Sequence, residues 1–395
     1  MRTKLFLAAL AGVALASCVT DKENVEANLK EGVKIVFDSP VLYNNNSQTR
    51  ANVFGEISAE TVGDGDSYPT AEQFQIYAVQ HTGNLTGWAD ATNAEFNDTS
   101  IAYEPNIDGW IPIKTTGGFY FWPGGEDKMS FAACSPADLD CAGATRTYGA
   151  AGLTIDNFQV SLDASKQYDL MFSKRAVNKT SADMMHSEGQ YSGVPIEFQH
   201  ALSSIRFSLL NSSNETVVLK KITLYGAKDT GKFEEGIVES AGIDTYVVGT
   251  EGNVHPIWTP TENRVAQANA YIAFQGDVTF PTGNPQYVAD LDKADNDKDT
   301  TADICNMLLL MPQALTKDVK IHVEYTVNGQ LATKTVDVVD ATNTNNKSQL
   351  TKWEMGNRYA YRLLYSAESA NKDKIYFAPS TEGWKEAGAY EIELL

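Results

Sequence analysis

Apolar residues along this chain recur mostly at every second position, the period of a β-strand that buries one face. In 72–80 (EQFQIYAVQ) the side chains of Phe74, Ile76 and Ala78 share a face. The runs 168–173 (YDLMFS), 194–200 (VPIEFQH), 203–210 (SSIRFSLL) and 217–226 (VVLKKITLYG) read as further strands. An aromatic strand, 117–125 (GGFYFWPGG), closes at a Pro-Gly turn and leads into 129–133 (MSFAA). The clearest local signal is 319–339 (VKIHVEYTVNGQLATKTVDVV). There Asn328-Gly329 supplies the two positive-φ positions of a type I′ turn, so Ile321 is expected to face Val336 and Tyr325 to face Ala332. Strands continue through 359–366, 374–379 and 388–395, and an early compact apolar run stands at 33–37 (VKIVF). Convincing helices are scarce, and no fixed-period repeat is visible. Many short strands with closely spaced turns predict an all-β protein of sandwich type. A chain of 395 residues suggests about two domains, and the boundary is expected at 199–202 (QHAL), where one strand ends and the next begins.

The N-terminus follows a different pattern. Arg2 and Lys4 form a basic start, and Leu5 to Ala16 is an apolar stretch of 12 residues. As a helix it would be about 18 Å long, too short for a hydrocarbon core of roughly 30 Å, so it predicts a signal peptide rather than a membrane span. It ends in 15–18 (LASC), which resembles a bacterial lipobox. That resemblance implies that Cys18 becomes the mature N-terminus and carries acyl chains. Each buried CH₂ contributes ~0.8 kcal/mol, so several chains make a lasting anchor. The competing reading is an ordinary signal peptide with an incidental cysteine. Val19, in place of Asp, argues against retention at the inner membrane, and the acidic text 21–26 (DKENVE) looks like the tether of a surface-exported lipoprotein.

A net charge of -20 and a pI near 4.6 argue against nucleic acid and an anionic membrane face as partners, because both would repel the chain. The 10% aromatic content argues for substantial cores and against disorder. After Cys18 only Cys134, Cys141 and Cys305 remain. Cys134 and Cys141 could close a small disulfide in an oxidising compartment; two buried thiols fit as well, since 129–134 reads as a core strand.

Catalytic and metal signatures are missing from the sequence. His81, His186, His200, His255 and His322 are scattered, no paired-histidine, G-x-S-x-G, Walker or dinucleotide spacing occurs, and no cofactor is implied. His200 and His322 stand in strand text, as structural histidines do. The loop 290–303 (DLDKADNDKDTTAD) places acids at Asp295, Asp297 and Asp299, but Thr300 stands where a calcium loop needs glycine and Asn306 where it needs glutamate. It reads as a solvated acidic loop. Trp88 and Trp110, in Gly- and Asp-flanked loops, are candidates for surface stacking on sugars, whereas Trp122 reads as core.

The order of the pieces resembles the fimbrillin family, the subunits of type V pili, in its Mfa-like branch. The resemblance rests on LASC, on KIVF followed by TRA, and on FYFWPGGEDKMSFAACSP, DLMFS, VPIEFQHALSSIRFSL, WEMGNRYAYRLL and IYFAPSTEGW. It implies two tandem transthyretin-like β-sandwich domains after a lipoprotein signal peptide: 1–17 the signal peptide, 18–50 a propeptide with the first strand, 51–199 and 200–395 the two sandwiches. It further implies a structural subunit, stalk or tip, of a cell-surface fimbria that supports adhesion and is not an enzyme. The precursor would be lipid-anchored to the outer membrane through Cys18. An arginine-specific protease would then cut between Arg50 and Ala51, releasing the strand 33–37. The vacated groove, with its unpaired N–H and C=O groups, would take a strand from another fimbrial subunit. On this chain the donor would be 389–395 (AYEIELL), with Tyr390, Ile392 and Leu394 on one face. The plain alternative for Arg50 is a solvated surface charge, and the alternative for the whole chain is a surface glycan-binding lipoprotein.

Overall fold

The computed structural model describes residues 33–37, 41–42, 73–84, 93–104, 109–112, 120–139, 143–149, 152–167, 169–173, 175–184, 193–235, 256–261, 264–283, 286–288, 304–305, 308–340, 342–343, 350–365 and 385–392. They are all-β, the class that the period-2 alternation predicts, with short 3₁₀ turns such as Ala164–Lys166 and Gln267–Asn269 between strands.

The hairpin shows how local chemistry sets register. Asn328 and Gly329 hold φ of 49° and 83°, the left-handed values a type I′ turn requires. Strands Lys320–Val327 and Gln330–Asp337 then pair Ile321 with Val336 and Tyr325 with Ala332, as expected. Along Lys320–Val327 the alternate residues Ile321, Val323 and Tyr325 are buried, while Lys320, His322 and Glu324 are only half-buried. The hairpin forms one side of a five-stranded antiparallel sheet in the order Ile304–Cys305, Tyr271–Thr279, Val217–Tyr225, Lys320–Val327, Gln330–Asp337.

A second sheet centres on two long parallel strands, Ser203–Asn211 and Asn357–Tyr365. Beyond Asn357–Tyr365 comes the parallel strand Lys385–Ile392, then the short Thr342–Asn343; Leu308–Leu310 and Gln286–Tyr287 pair with Ser203–Asn211. The two sheets contribute to one core that contains Ile205, Leu209, Leu219, Ile222, Phe274, Ile321, Val323, Tyr361 and Leu363. Burial of such side chains supplies most of the favourable free energy, at about 25 cal/mol per Å² of apolar surface.

The N-terminal part is an eight-stranded sheet. Its order is Val41–Leu42, Glu197–His200, Met171–Ser173, Asp127–Ser135, Phe74–Thr82, Asn93–Glu104, Gly109–Pro112, with Ala176–Lys179 pairing on Asp127–Ser135. Its aromatic core (Phe37, Phe74, Trp110, Trp122, Phe131, Phe198) forms a cluster separate from the first. A four-stranded antiparallel sheet draws strands from both sides of residue 200. In it Thr145–Gly149 and Gly152–Gln159 pair on to Thr230–Glu234 and Ile257–Pro260. Phe233 and Trp258, 5.3 Å apart, meet Phe158 and Phe172 there. Arg175 and Glu235 form a buried ion pair at 3.3 Å, and Glu235 also accepts a 2.7 Å bond from the Leu153 N–H. Gly152, at φ +84°, is required beside it, because a Cβ there would collide with the Glu235 carboxylate.

Candidate functional site

Val33, Ile35 and Phe37 lie at alternate positions of 33–37, and a strand places alternate side chains on one face. The segment is held on both sides by backbone bonds. On one side the Ile35 N–H donates to the Tyr120 carbonyl and the Trp122 N–H to the Val33 carbonyl, each at 2.8 Å. The Phe37 N–H donates to the Trp110 carbonyl at 2.8 Å, and the Trp110 N–H returns a bond to Phe37 at 3.4 Å. On the other side the Val194 N–H donates to the Val36 carbonyl at 2.8 Å. The contacts are isolated bridges: Lys34 with Phe121 and Phe37 with Trp110 are antiparallel, Phe37 with Val194 parallel. They set the direction in which 33–37 runs through this slot.

The inward side chains are sealed. Ile35 is 0% and Phe37 1% exposed. The Phe37 ring meets Phe131 edge-on at 5.6 Å and Phe74 at 6.3 Å, a geometry aromatic rings favour. Phe74 in turn touches Trp110 at 5.6 Å and Phe198 at 5.7 Å. Burying Ile35 and Phe37 contributes about 1.5–3 kcal/mol each. The chain next reaches the eight-stranded sheet, where Val41 and Leu42 pair in parallel with Glu197 and Phe198 at its edge.

Of the residues singled out from the sequence, Cys18, Arg50, Ala51, Leu394, Trp88, Cys141 and the acidic loop 290–303 lie outside the described residues. Tyr390 and Ile392 stand on strand Lys385–Ile392, opposite Tyr361 and Leu363 respectively, with Tyr390 also opposite Asn343. Trp110, expected at the surface as a sugar platform, is instead 2% exposed and forms a wall of the slot. Its Gly-flanked sequence resembles a loop, but the strand Gly109–Pro112 pairs with Asn93–Glu104 and turns the indole inward. Cys134 is buried in strand Asp127–Ser135. Among the described residues no group of three or more His, Cys, Asp or Glu side chains is placed to hold a metal ion.

Two buried histidine pairs were not legible in the sequence. His200 pairs through Nδ1 with Asp169, both nearly inaccessible. His81 Nδ1 lies 3.0 Å from the Gly83 carbonyl and Nε2 lies 2.9 Å from Ser130 Oγ. The carbonyl can only accept, so Nδ1 carries the proton and the Ser130 hydroxyl donates to Nε2. That is the order of contacts in a serine nucleophile with its base. Ser130, however, is 0% exposed and already accepts the Asn178 N–H at 2.9 Å, so no substrate reaches it and the pair is structural. Burial holds the His81 imidazole below its ordinary pKa, with nearby Lys128 acting in the same direction.

A family model described as fimbrillin-like matches residues 59–384, most of the chain. The chain belongs to the fimbrillin-like family. The segment 33–37 lies ahead of the matched region. Among solved structures, this fimbrillin-like chain is similar to a fimbrial protein from Bacteroides vulgatus, with 15% identity, a TM-score of 0.42, and coverage of 74% of this chain and 88% of that one. It is also similar to a candidate cell adhesion protein from Bacteroides uniformis, with 12% identity, a TM-score of 0.43 and coverage of 92% and 96%. A further candidate cell adhesion protein, from Bacteroides ovatus, shows 14% identity, a TM-score of 0.40 and coverage of 89% and 98%. No curated protein matches the sequence. Membership of the fimbrillin-like family supports a role as a fimbrial subunit at the cell surface, in contact with other fimbrial subunits.

Proposed function

We propose that this chain is a structural fimbrial subunit that is exported as a lipoprotein, cut after Arg50 and polymerised by strand exchange. The observation that carries this reading is the segment 33–37. It is a short strand sealed in an aromatic slot and bonded on both flanks, and the sequence connects it to the rest of the chain through a polar loop that contains Arg50. Cleavage between Arg50 and Ala51 by an arginine-specific protease would sever the covalent link, and loss of 33–37 would leave the flanking N–H and C=O groups without partners. Such an edge recruits a strand from another chain. Until then the chain fills its own slot, which keeps the precursor monomeric during export.

Cys18 is the proposed lipid attachment point, anchoring the precursor in the outer membrane. The C-terminal tail is the proposed donor, with Tyr390, Ile392 and Leu394 as its alternating apolar positions. Strand Lys385–Ile392 pairs with Asn357–Tyr365 and Thr342–Asn343 in the single chain, so donation by these residues requires it to leave that sheet. The burial of Trp110 removes one of the two tryptophans that favoured a glycan-binding surface.

The test is the N-terminus of protein isolated from the cell surface. Strand exchange expects Ala51 in the assembled form and acylated Cys18 in the precursor, with Cys18→Ala releasing the precursor from the membrane. An acylated Cys18 on every surface copy contradicts the proposal.

A further inference from the structure

The five-stranded sheet ends at strand Gln330–Asp337, and among the described residues nothing pairs with the far edge of that strand. It makes an unbroken register with Lys320–Val327, from Val327 opposite Gln330 to Lys320 opposite Asp337, with no bulge and no proline. The Val338 N–H donates to the Val319 carbonyl at 2.9 Å, which sets the phase of this ladder. Residues 332, 334 and 336 turn their backbone groups towards the inner strand, because bonded and non-bonded pairs alternate in an antiparallel ladder. The N–H and C=O groups of Leu331, Thr333 and Thr335 therefore point outwards along the open edge. A straight, regular edge of this length is a template for another strand. The edge strand Ile257–Pro260 is blunted in another way, being short and ending in proline, which has no N–H to offer.

Side chains along the open edge alternate between faces. Thr335 and Asp337 lie on the outer face, opposite His322 and Lys320. Ala332, Lys334 and Val336 lie on the inner face, opposite the buried Tyr325, Val323 and Ile321. Ala332 and Val336 pack against the core, and Lys334 stands half-buried between them. Lys320 pairs with Asp337 on the outer face, whereas no carboxylate among the described residues pairs with Lys334. A lysine at this place can lay its stem along the rim and keep its amine in water only while the edge stays open. We infer that Lys334 guards this edge and bars a second copy of the chain from pairing with it strand to strand.

The possible registers show why one residue suffices. A second copy related by a two-fold axis would present the same edge, antiparallel. Only odd-numbered positions offer outward groups, so allowed registers differ by steps of two. Centred on Lys334, the pairing sets two ammonium groups directly opposite each other, which is destabilising. Moved by two residues either way, it sets Lys334 opposite Ala332 or Val336 of the other copy and buries the amine without a counter-charge. Every register that uses most of the strand meets the same obstacle. The inference concerns the uncut chain and holds whether or not strands exchange at the slot.

The experiment therefore uses the uncut full chain, without protease. Sedimentation over a concentration series compares wild type with Lys334→Val, with Lys334→Glu, and with Lys334→Val combined with Thr333→Pro. Circular dichroism checks that each variant folds. Lys334→Val should self-associate about a hundred-fold more tightly than wild type, because no charge is then buried. Lys334→Glu should behave as wild type, since like charges still meet. Thr333→Pro removes an outward N–H and leaves the hairpin's own ladder intact, so it should cancel the gain. In hydrogen exchange, the amides of Leu331, Thr333 and Thr335 should exchange rapidly in wild type and become protected in associated Lys334→Val. A folded Lys334→Val protein as monomeric as wild type overturns the inference. So does association that survives Thr333→Pro, or protection of those three amides in the wild-type monomer. If Lys334→Val does not fold, Lys334→Thr takes its place with the same expected outcomes.

Discussion

The same tripeptide pattern serves two strands of opposite character. Ile35 and Phe37 fill the N-terminal slot; Ile205 and Phe207 lie in the centre of the C-terminal sheet. All four are buried, at 0%, 1%, 0% and 4% exposure, so depth does not separate them. Continuity does. Strand Ser203–Asn211 runs eight consecutive register pairs with Asn357–Tyr365 and three with Leu308–Leu310. Among the described residues, the segment 33–37 is held by isolated bridges and by five backbone bonds. A net backbone bond contributes about 0.5–1.5 kcal/mol, and each large apolar side chain about 1.5–3. The slot segment therefore owes much of its hold to two side chains, which is what the proposed strand exchange requires of a replaceable strand. The inner strand is bound into neighbours on both sides along its length, and no short segment can replace it.

Substitutions should expose this difference. Ile205→Asp places a charge in the shared core of two sheets and should cost more than about 4 kcal/mol, enough to abolish the cooperative melt followed by circular dichroism. A folded, cooperative Ile205→Asp protein would mean that the inner strand is as replaceable as the slot segment. Phe37→Ala should cost the uncut precursor about 3–5 kcal/mol in denaturant unfolding. It should cost nothing once residues 1–50 have been removed, because the residue is then gone.

A smaller effect distinguishes the N-terminal sheet by pH. Burial lowers the His81 pKa below the ordinary 6.5, so the folded state favours the neutral ring. The unfolded chain takes up a proton as pH falls through 6.5, while the folded chain does so only at a lower pH. The stability held above pH 6.5 should therefore decline below it, down to the lowered folded pKa. His81→Gln should remove that part of the pH dependence in thermal melts. The smallest effect is expected at Leu331 on the outer strand of the hairpin, 70% exposed. Leu331→Thr should change stability by no more than about 0.5 kcal/mol.

Much of the fold was legible because alternation and turn chemistry are local. The hairpin register follows from Asn328 and Gly329 alone, and the strands around Phe74, Ile205 and Leu219 follow from their patterning. The slot was legible only in half. The run 33–37 is plainly strand-like, but its partners, 120–122 and Val194, lie roughly 85 and 160 residues away, and no local pattern encodes them. The same limit misplaced Trp110, whose turn-like neighbours gave no sign of the slot it lines. It also hid Arg175 and Glu235, two charges that ordinary surface statistics would leave in water but that form a buried ion pair. Ile-x-Phe reads as a strand in the sequence; which partners such a strand finds is decided by contacts far along the chain.

Strand exchange is tested most directly by incubating purified precursor with an arginine-specific protease and following N-terminal sequence and mass together. The expected result is a new N-terminus at Ala51 and a ladder of high-mass species, with Arg50→Ala remaining folded, uncut at that bond and monomeric. Complete cleavage at Ala51 that yields only stable monomers, or an Arg50→Ala protein that assembles as readily as wild type, would contradict it.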